Sequence, residues 1–185
     1  MHIAQVNIGR MKAPLDDPSM AGFVTRLDDL NALADASEGF IWRLQGEAGN
    51  NTYLRPFDDD RIMVNMSVWA SVDQLRVYSY DTAHAEVLRN RRDWFEKMDQ
   101  MVLALWWIPV GHIPTVDEAK ERLASLNAHG PTPFAFTFKK IFSAVPKDLR
   151  GIDARRAIGG EPAGDRADGA EDDGGADQRQ RIARL

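Results

Sequence analysis

The chain has 185 residues, 44% of them hydrophobic, which suits one domain with a proper core plus a tail. Its 23 basic and 28 acidic residues leave a net charge of -5, so no basic surplus exists to neutralise phosphates and nucleic acid is not an expected partner. The absence of cysteine excludes disulfides, thiolate metal sites and a cysteine nucleophile; no apolar run approaches the roughly 20 residues of a membrane span and no basic-then-apolar leader opens the chain, so the expectation is a cytoplasmic protein without a membrane partner.

In chain order, residues 2–10 alternate as a strand, with Ile3, Gln5 and Asn7 on one face and Ala4, Val6 and Ile8 on the other. Asp17-Pro18 reads as a cap followed by proline at the first helical position, and Met20, Phe23, Val24, Leu27, Leu30 and Ala34 then share a helical face that Gly39 closes. Residues 40–46 and 61–69 read as the second and third strands, joined by a long polar loop in which Asn50-Asn51-Thr52 matches a glycosylation sequon. Ser71 with Gln74 forms a capping box for a short helix that falters near residues 79–81, and another helix follows over 83–98.

Residues 101–110 read as the fourth strand, after which Gly111 lets the chain turn. Thr115 with Glu118 makes a second capping box, for a helix with Ala119, Leu123 and Leu126 on one face that Gly130-Pro131 ends. Residues 134–142 read as a last strand, with Phe134, Phe136 and Phe138 on one face. Residues 145–185 contain no aromatic residue and are dominated by Arg, Asp, Gly and Ala, a composition that buries too little apolar surface to offset ordering entropy. The expected organisation is a folded domain over 1–144 and a disordered charged tail over 145–185.

The order β-α-β-β-α-β, then α-β, gives an α+β fold: a ferredoxin-like unit with an extra C-terminal helix and strand. Helices on one face of such a sheet leave the other bare. Yet the third strand is rich on both sides, with Ile62, Val64, Met66 and Val68 opposing Met63, Asn65, Ser67 and Trp69. A sheet buried on both faces needs a second cover, and a second copy of the chain would supply it as a homodimer.

Several segments together are distinctive: Ala4-Gln5-Val6-Asn7-Ile8, Gly39-Phe40-Ile41-Trp42-Arg43-Leu44, Ser67-Val68-Trp69, Arg91-Arg92-Asp93-Trp94-Phe95, and Trp106-Trp107-Ile108-Pro109 through Gly111-His112 to Pro114-Thr115. On these the body of the chain resembles a bacterial family known only as a domain of unknown function, placed in the dimeric α+β barrel superfamily beside the antibiotic-biosynthesis monooxygenases. The resemblance implies a homodimer with a small-molecule pocket between sheet and helices. It also implies cofactor-independent, monooxygenase-like chemistry on an aromatic or polyketide-like compound. The alternative it leaves is a non-catalytic binding or accessory protein of the same fold. Haem binding, which some dimeric α+β barrels show, would use His84 as axial ligand. Fold does not fix function, so the residues must carry the argument.

Three constellations offer chemistry. Gln5 with Asn7, Arg43 with Gln45, and Asn65 with Ser67 share parities on their strands. If these parities meet on one side, amides and a guanidinium converge within the sheet, and either a bound ligand or one another must satisfy them. On the expected 83–98 helix, His84, Leu88, Arg91 and Phe95 recur at helical spacing beside Trp94; His84 is a candidate acid, base or ligand, and Arg91 a carboxylate clamp, against the plainer reading of a satisfied histidine and a salt-bridged arginine. Trp106 and Trp107 must point to opposite sheet faces, and His112 precedes a helix N-terminus whose dipole disfavours the charged imidazole. The plainer role for His112 is to fix the loop through a backbone carbonyl. The candidate set is therefore His84 and His112 for proton transfer, with Asn65, Trp69, Arg43, Arg91, Trp94 and Trp107 lining the site. Histidines at 2, 84, 112 and 129 show no ligand spacing, so no metal is expected.

Overall fold

A computed structural model describes residues 1–46 and 54–144. Four antiparallel strands, β1 (His2–Arg10), β2 (Phe40–Arg43), β3 (Ile62–Trp69) and β4 (Leu103–Ile108), form one sheet in the order β2-β3-β1-β4. This is the strand order of the ferredoxin-like unit, so the α+β expectation is met. The sequon, with the rest of residues 47–53 in the loop after β2, and the whole of residues 145–185 lie outside the described residues.

The first helical region is broken where one helix was expected. A 3-10 turn at Pro18–Met20, capped by Asp17, leads into α1 (Ala21–Val24) and then α2 (Leu27–Asp35). The break falls where the Thr25 hydroxyl and the Arg26 guanidinium both bond carbonyls of the preceding turn, at 2.9 and 3.0 Å. Gly39, at φ 79°, makes the turn into β2, and a Cβ there would collide with the Gln74 side chain.

The second helical region is also shorter than expected. It consists of α3 (Val72–Asp81) and α4 (His84–Asn90), and a 3-10 turn at Arg91–Asp93 then stops it. Residues 94–96 are drawn out beside the end of β1: Lys12 N–H donates to the Trp94 carbonyl at 2.9 Å and Glu96 N–H to the Arg10 carbonyl at 2.8 Å. The last expected strand is also absent. Leu105 and Phe136 exchange both backbone bonds, at 2.8 and 2.9 Å, but the chain turns away at once, with the Thr137 hydroxyl accepting from Lys139 N–H.

The largest departure concerns the second sheet face. Ala4, Val6, Ile8, Val64, Met66, Val68, Ala104, Trp106 and Ile108 all point to it, and none exceeds 5% exposure within the single chain. The cover is α5 (Val116–His129), whose Ala119, Leu123 and Leu126 complete this core. The face that was to be buried by a second copy is thus buried by the chain's own helix, and a homodimer has to be built on another surface. The opposite face carries two separate apolar clusters: Ile3, Trp69, Val72, Leu75, Leu105 and Phe136 at one end, and Met11, Met20, Phe23, Met63, Val87 and Trp94 at the other. Among the described residues, no helix is long and apolar enough to cross a membrane.

Candidate functional site

Between those two clusters the sheet is polar. The register pairs Gln5 with Ser67, Asn7 with Asn65, and Arg43 with Ser67, so all five side chains share the face that carries the two clusters. The stretch from the Ile3 row to the Gly9 row spans six residues of β1, roughly 20 Å at about 3.3 Å each. Its upper row satisfies itself. Gln5 Nε2 donates to Ser67 Oγ at 3.1 Å, and Trp69 Nε1 donates to the same hydroxyl at 2.9 Å. Arg43 grips Asp35 of α2 bidentately, at 2.8 and 3.2 Å. The lower row differs. Asn65 is exposed, although Met63 and Ser67, two residues to either side on this face, are only 7% and 6% exposed. No side-chain hydrogen bond of Asn7 or Asn65 occurs among the described residues.

An aromatic column rises from this floor. Phe40 meets Trp69 edge-on at 5.4 Å, Trp69 stacks on Tyr78 at 4.9 Å, and Tyr78 lies over the His84 imidazole at 4.8 Å. Burial is the main reason the Tyr78 phenol is pushed up to about 12, so it stays protonated at neutral pH and donates, at 3.4 Å, to the Leu30 carbonyl. Half-buried His84 is held below its usual value because desolvation outweighs the hydrogen bond from Nδ1 to the Ser79 carbonyl, 3.2 Å away. A carbonyl can only accept, so the proton resides on Nδ1 and Nε2 is the basic nitrogen. His84 is therefore a neutral imidazole at pH 7 with one free lone pair.

The remaining sequence candidates scatter. His112 lies past the end of β4, beside the α5 layer on the other sheet face, and its Nε2 bonds Glu118 at 2.8 Å. A carboxylate accepts, so that nitrogen is a donor and not a base; the partner is a side chain rather than the backbone carbonyl of the plainer expectation. Trp107 is on the Asn65 face, but its indole N–H is fixed to the Phe142 carbonyl at 2.6 Å. Trp94 is 6% exposed in the lower cluster, packed against Phe23 at 5.8 Å. Arg91 caps the end of α4, exposed, with its guanidinium on the Leu88 carbonyl at 2.7 Å. The early end of α4 removes Arg91 and Phe95 from the His84 helix face. Of the candidates, then, Asn65, Trp69, Arg43 and Trp107 share one sheet face, His84 joins it through Tyr78, Trp94 lies in the lower cluster of that face, and His112 and Arg91 lie apart.

Sequence reasoning missed Tyr78, which the only available signal, its spacing three residues beyond Leu75, would have placed on the apolar face of α3. It also missed Glu118 as more than a cap. That carboxylate receives Trp106 Nε1 at 2.8 Å, His112 and, at 3.3 Å, Arg122, instead of reaching back to Thr115. A groove of about 200 Å³ reaches Tyr78 from outside, between Glu38, Asp73 and Thr82. A larger groove of about 740 Å³ lies elsewhere, between Leu15, Leu27 and Arg61, and none of the candidates lines it. Among the described residues, no group of three His, Asp or Glu side chains is placed to hold a metal ion.

Comparison with known proteins gives a family and little more. Residues 2–150 match the family described as a domain of unknown function, DUF3291. No protein of curated function matches the sequence. Among solved structures, SnoaB, a cofactor-independent oxygenase from Streptomyces nogalater, is 19% identical, with 58% of this chain and 93% of that chain covered and a TM-score of 0.41. The NE2512 protein of unknown function from Nitrosomonas europaea is 12% identical, with 62% and 95% covered and a TM-score of 0.43. At that distance neither bears on what this chain does.

Proposed function

Since this chain belongs to the DUF3291 family, whose description assigns no activity, the geometry has to carry the reading, and we propose that it holds a flat, partly polar organic molecule over the Asn7–Asn65 gap, as a cofactor-independent, monooxygenase-like enzyme acting on an aromatic or polyketide-like compound. The observation that carries the proposal is Asn65: an exposed amide on an inner strand, flanked along its own face by buried Met63 and Ser67. An apolar cluster at each end and an amide pair between them suit a ligand with a planar body and a polar edge. In this reading the amides orient the molecule, fully buried Trp69 braces the floor from within through its bond to Ser67, and His84 Nε2 takes the molecule's acidic proton. Arg43 is already committed to Asp35, so its part is to hold α2 in place at the rim.

A second reading has support of its own. Gln5, Ser67, Trp69, Arg43 and Asp35 satisfy one another completely enough to form a rigid floor, and a rigid floor with two amide anchors suffices for a non-catalytic carrier. Mass spectrometry of whatever co-purifies with the chain identifies the compound, and tryptophan fluorescence then reads its binding. Asn65→Ala is expected to weaken that compound by about tenfold, the worth of one or two good hydrogen bonds. Unchanged affinity removes Asn65, and with it the proposed site.

A further inference from the structure

The break between α3 and α4 is a second place where local chemistry and site geometry coincide. Thr82 leaves the helix in an extended conformation, φ -120° and ψ -176°, and so orphans the carbonyls of the last turn of α3. Its hydroxyl donates to the Tyr78 carbonyl at 2.6 Å and accepts the His84 backbone N–H at 3.2 Å. A single oxygen therefore closes one helix and anchors the first residue of the next. The neighbouring orphan, the Ser79 carbonyl, receives His84 Nδ1.

We propose that Thr82, together with the Ser79 carbonyl, is a positioning element that presets the tautomer and ring orientation of His84 before any ligand arrives. The inference rests on reading His84 as the proton-transfer group, and it adds the residues that make the group competent. The imidazole is held from three directions: Tyr78 lies over its ring with 35° between planes, Ser79 takes Nδ1–H, and Thr82 fixes the backbone that carries it. Tyr78 is itself immobilised between Trp69, with 28° between planes, and the Leu30 carbonyl. The floor of the site and the orientation of Nε2 are thus linked through one stack. A neutral histidine free in water favours the other tautomer slightly and rotates; here both freedoms are removed in the empty protein, which is the condition for efficient proton transfer. Burial keeps the ring neutral and so supports the same arrangement.

Nitrogen-15 chemical shifts of the imidazoles, recorded on the full chain without ligand, test this directly. The parent is expected to show His84 as a single neutral tautomer with Nδ1 protonated. Thr82→Val keeps the shape and removes the hydroxyl; it is expected to raise the minor tautomer about fivefold or more, and Thr82→Ser to restore the parent spectrum. If the valine variant does not fold, Thr82→Cys, with a weaker donor and acceptor, replaces it and is expected to give a smaller rise. A parent spectrum with Nε2 protonated, or a folded variant lacking the hydroxyl with an unaltered tautomer ratio, overturns the proposal. Failure of the functional reading is separate: turnover unaffected by His84→Gln, with the tautomer pattern as expected, leaves the positioning element standing and removes its purpose.

Discussion

Trp106 and Trp107 are consecutive on β4 and tie different layers to the sheet: Trp106 Nε1 donates to Glu118 of α5, and Trp107 Nε1 donates to the Phe142 carbonyl on the opposite face. Alternation along a strand makes this division inevitable. Trp106 is fully buried and Trp107 only partly. Phenylalanine at either position keeps most of the apolar volume and deletes one donor. Trp106→Phe is expected to cost about 2–3 kcal/mol, from a cavity plus a weakened bond to a carboxylate, and Trp107→Phe about 1 kcal/mol. Urea denaturation of the two variants gives the comparison, and equal losses contradict it.

Glu118 makes the α5 layer pH-dependent. Burial alone would raise its carboxyl, but hydrogen bonds from His112 and Trp106 and the field of Arg122 outweigh burial and hold it below the usual 4.5. A carboxyl depressed in the folded state contributes stability above its unfolded value and loses that contribution as pH falls through the folded one. Glu118→Gln is therefore expected to lower the melting temperature most near neutral pH, with the gap to the parent closing below about pH 4. A gap that is constant from neutral to acid pH rules out this assignment.

The two histidines should separate cleanly. Under the enzyme reading, His84→Gln lowers turnover of a true substrate by about a hundredfold or more at nearly unchanged affinity. His112→Gln leaves turnover and affinity alone and lowers the melting temperature by a few degrees, since it weakens only the hold on Glu118. Loss of turnover in the His112 variant instead would move the chemistry to the other face of the sheet.

A charge on the face beneath α5 reports what covers it. Val64 is 1% exposed, and aspartate there would be buried without a partner. Val64→Asp is expected to unfold the chain, whereas Asn65→Asp, its exposed neighbour on the same strand, is expected to leave circular dichroism unchanged. A folded Val64 variant of altered mass in light scattering would show that the face is an interface between copies after all.

From composition alone, we expect residues 145–185 to play no part in the folded domain. A chain ended at Ala144 is expected to keep its melting temperature within about 2 °C, less than the shift of ~1 kcal/mol in a domain of this size. A drop of several degrees shows that the segment packs on the rest.

Parity within each strand was legible because side chains alternate with period two, which grouped Gln5 with Asn7 and Asn65 with Ser67; that these groups and Arg43 meet on one face is set by the pairing register, which alternation alone leaves open. The Thr115 cap of α5 was legible for the same local reason. Which face α5 covers was not, since an apolar stripe of Ala119, Leu123 and Leu126 states that a helix packs and leaves open where. The second helical region was overextended because Trp94 and Phe95 continue the apolar spacing, while their backbone is taken by the end of β1. His84 looked like one more residue on a long helix face. Its real setting depends on Thr82, whose hydroxyl breaks the helix at a point where the spacing of apolar residues carries no signal.

The helix that roofs the sheet has a consequence for how the chain reaches its native state. Only the few residues between Ile108 and Val116 separate β4 from its cover, so the two meet by closing a short loop. Closure at that separation corresponds to a local concentration on the order of millimolar, whatever the dilution of the protein. The apolar residues that β4 contributes to that face, Ala104, Trp106 and Ile108, are therefore covered by a first-order event, before a newly made chain encounters a second one.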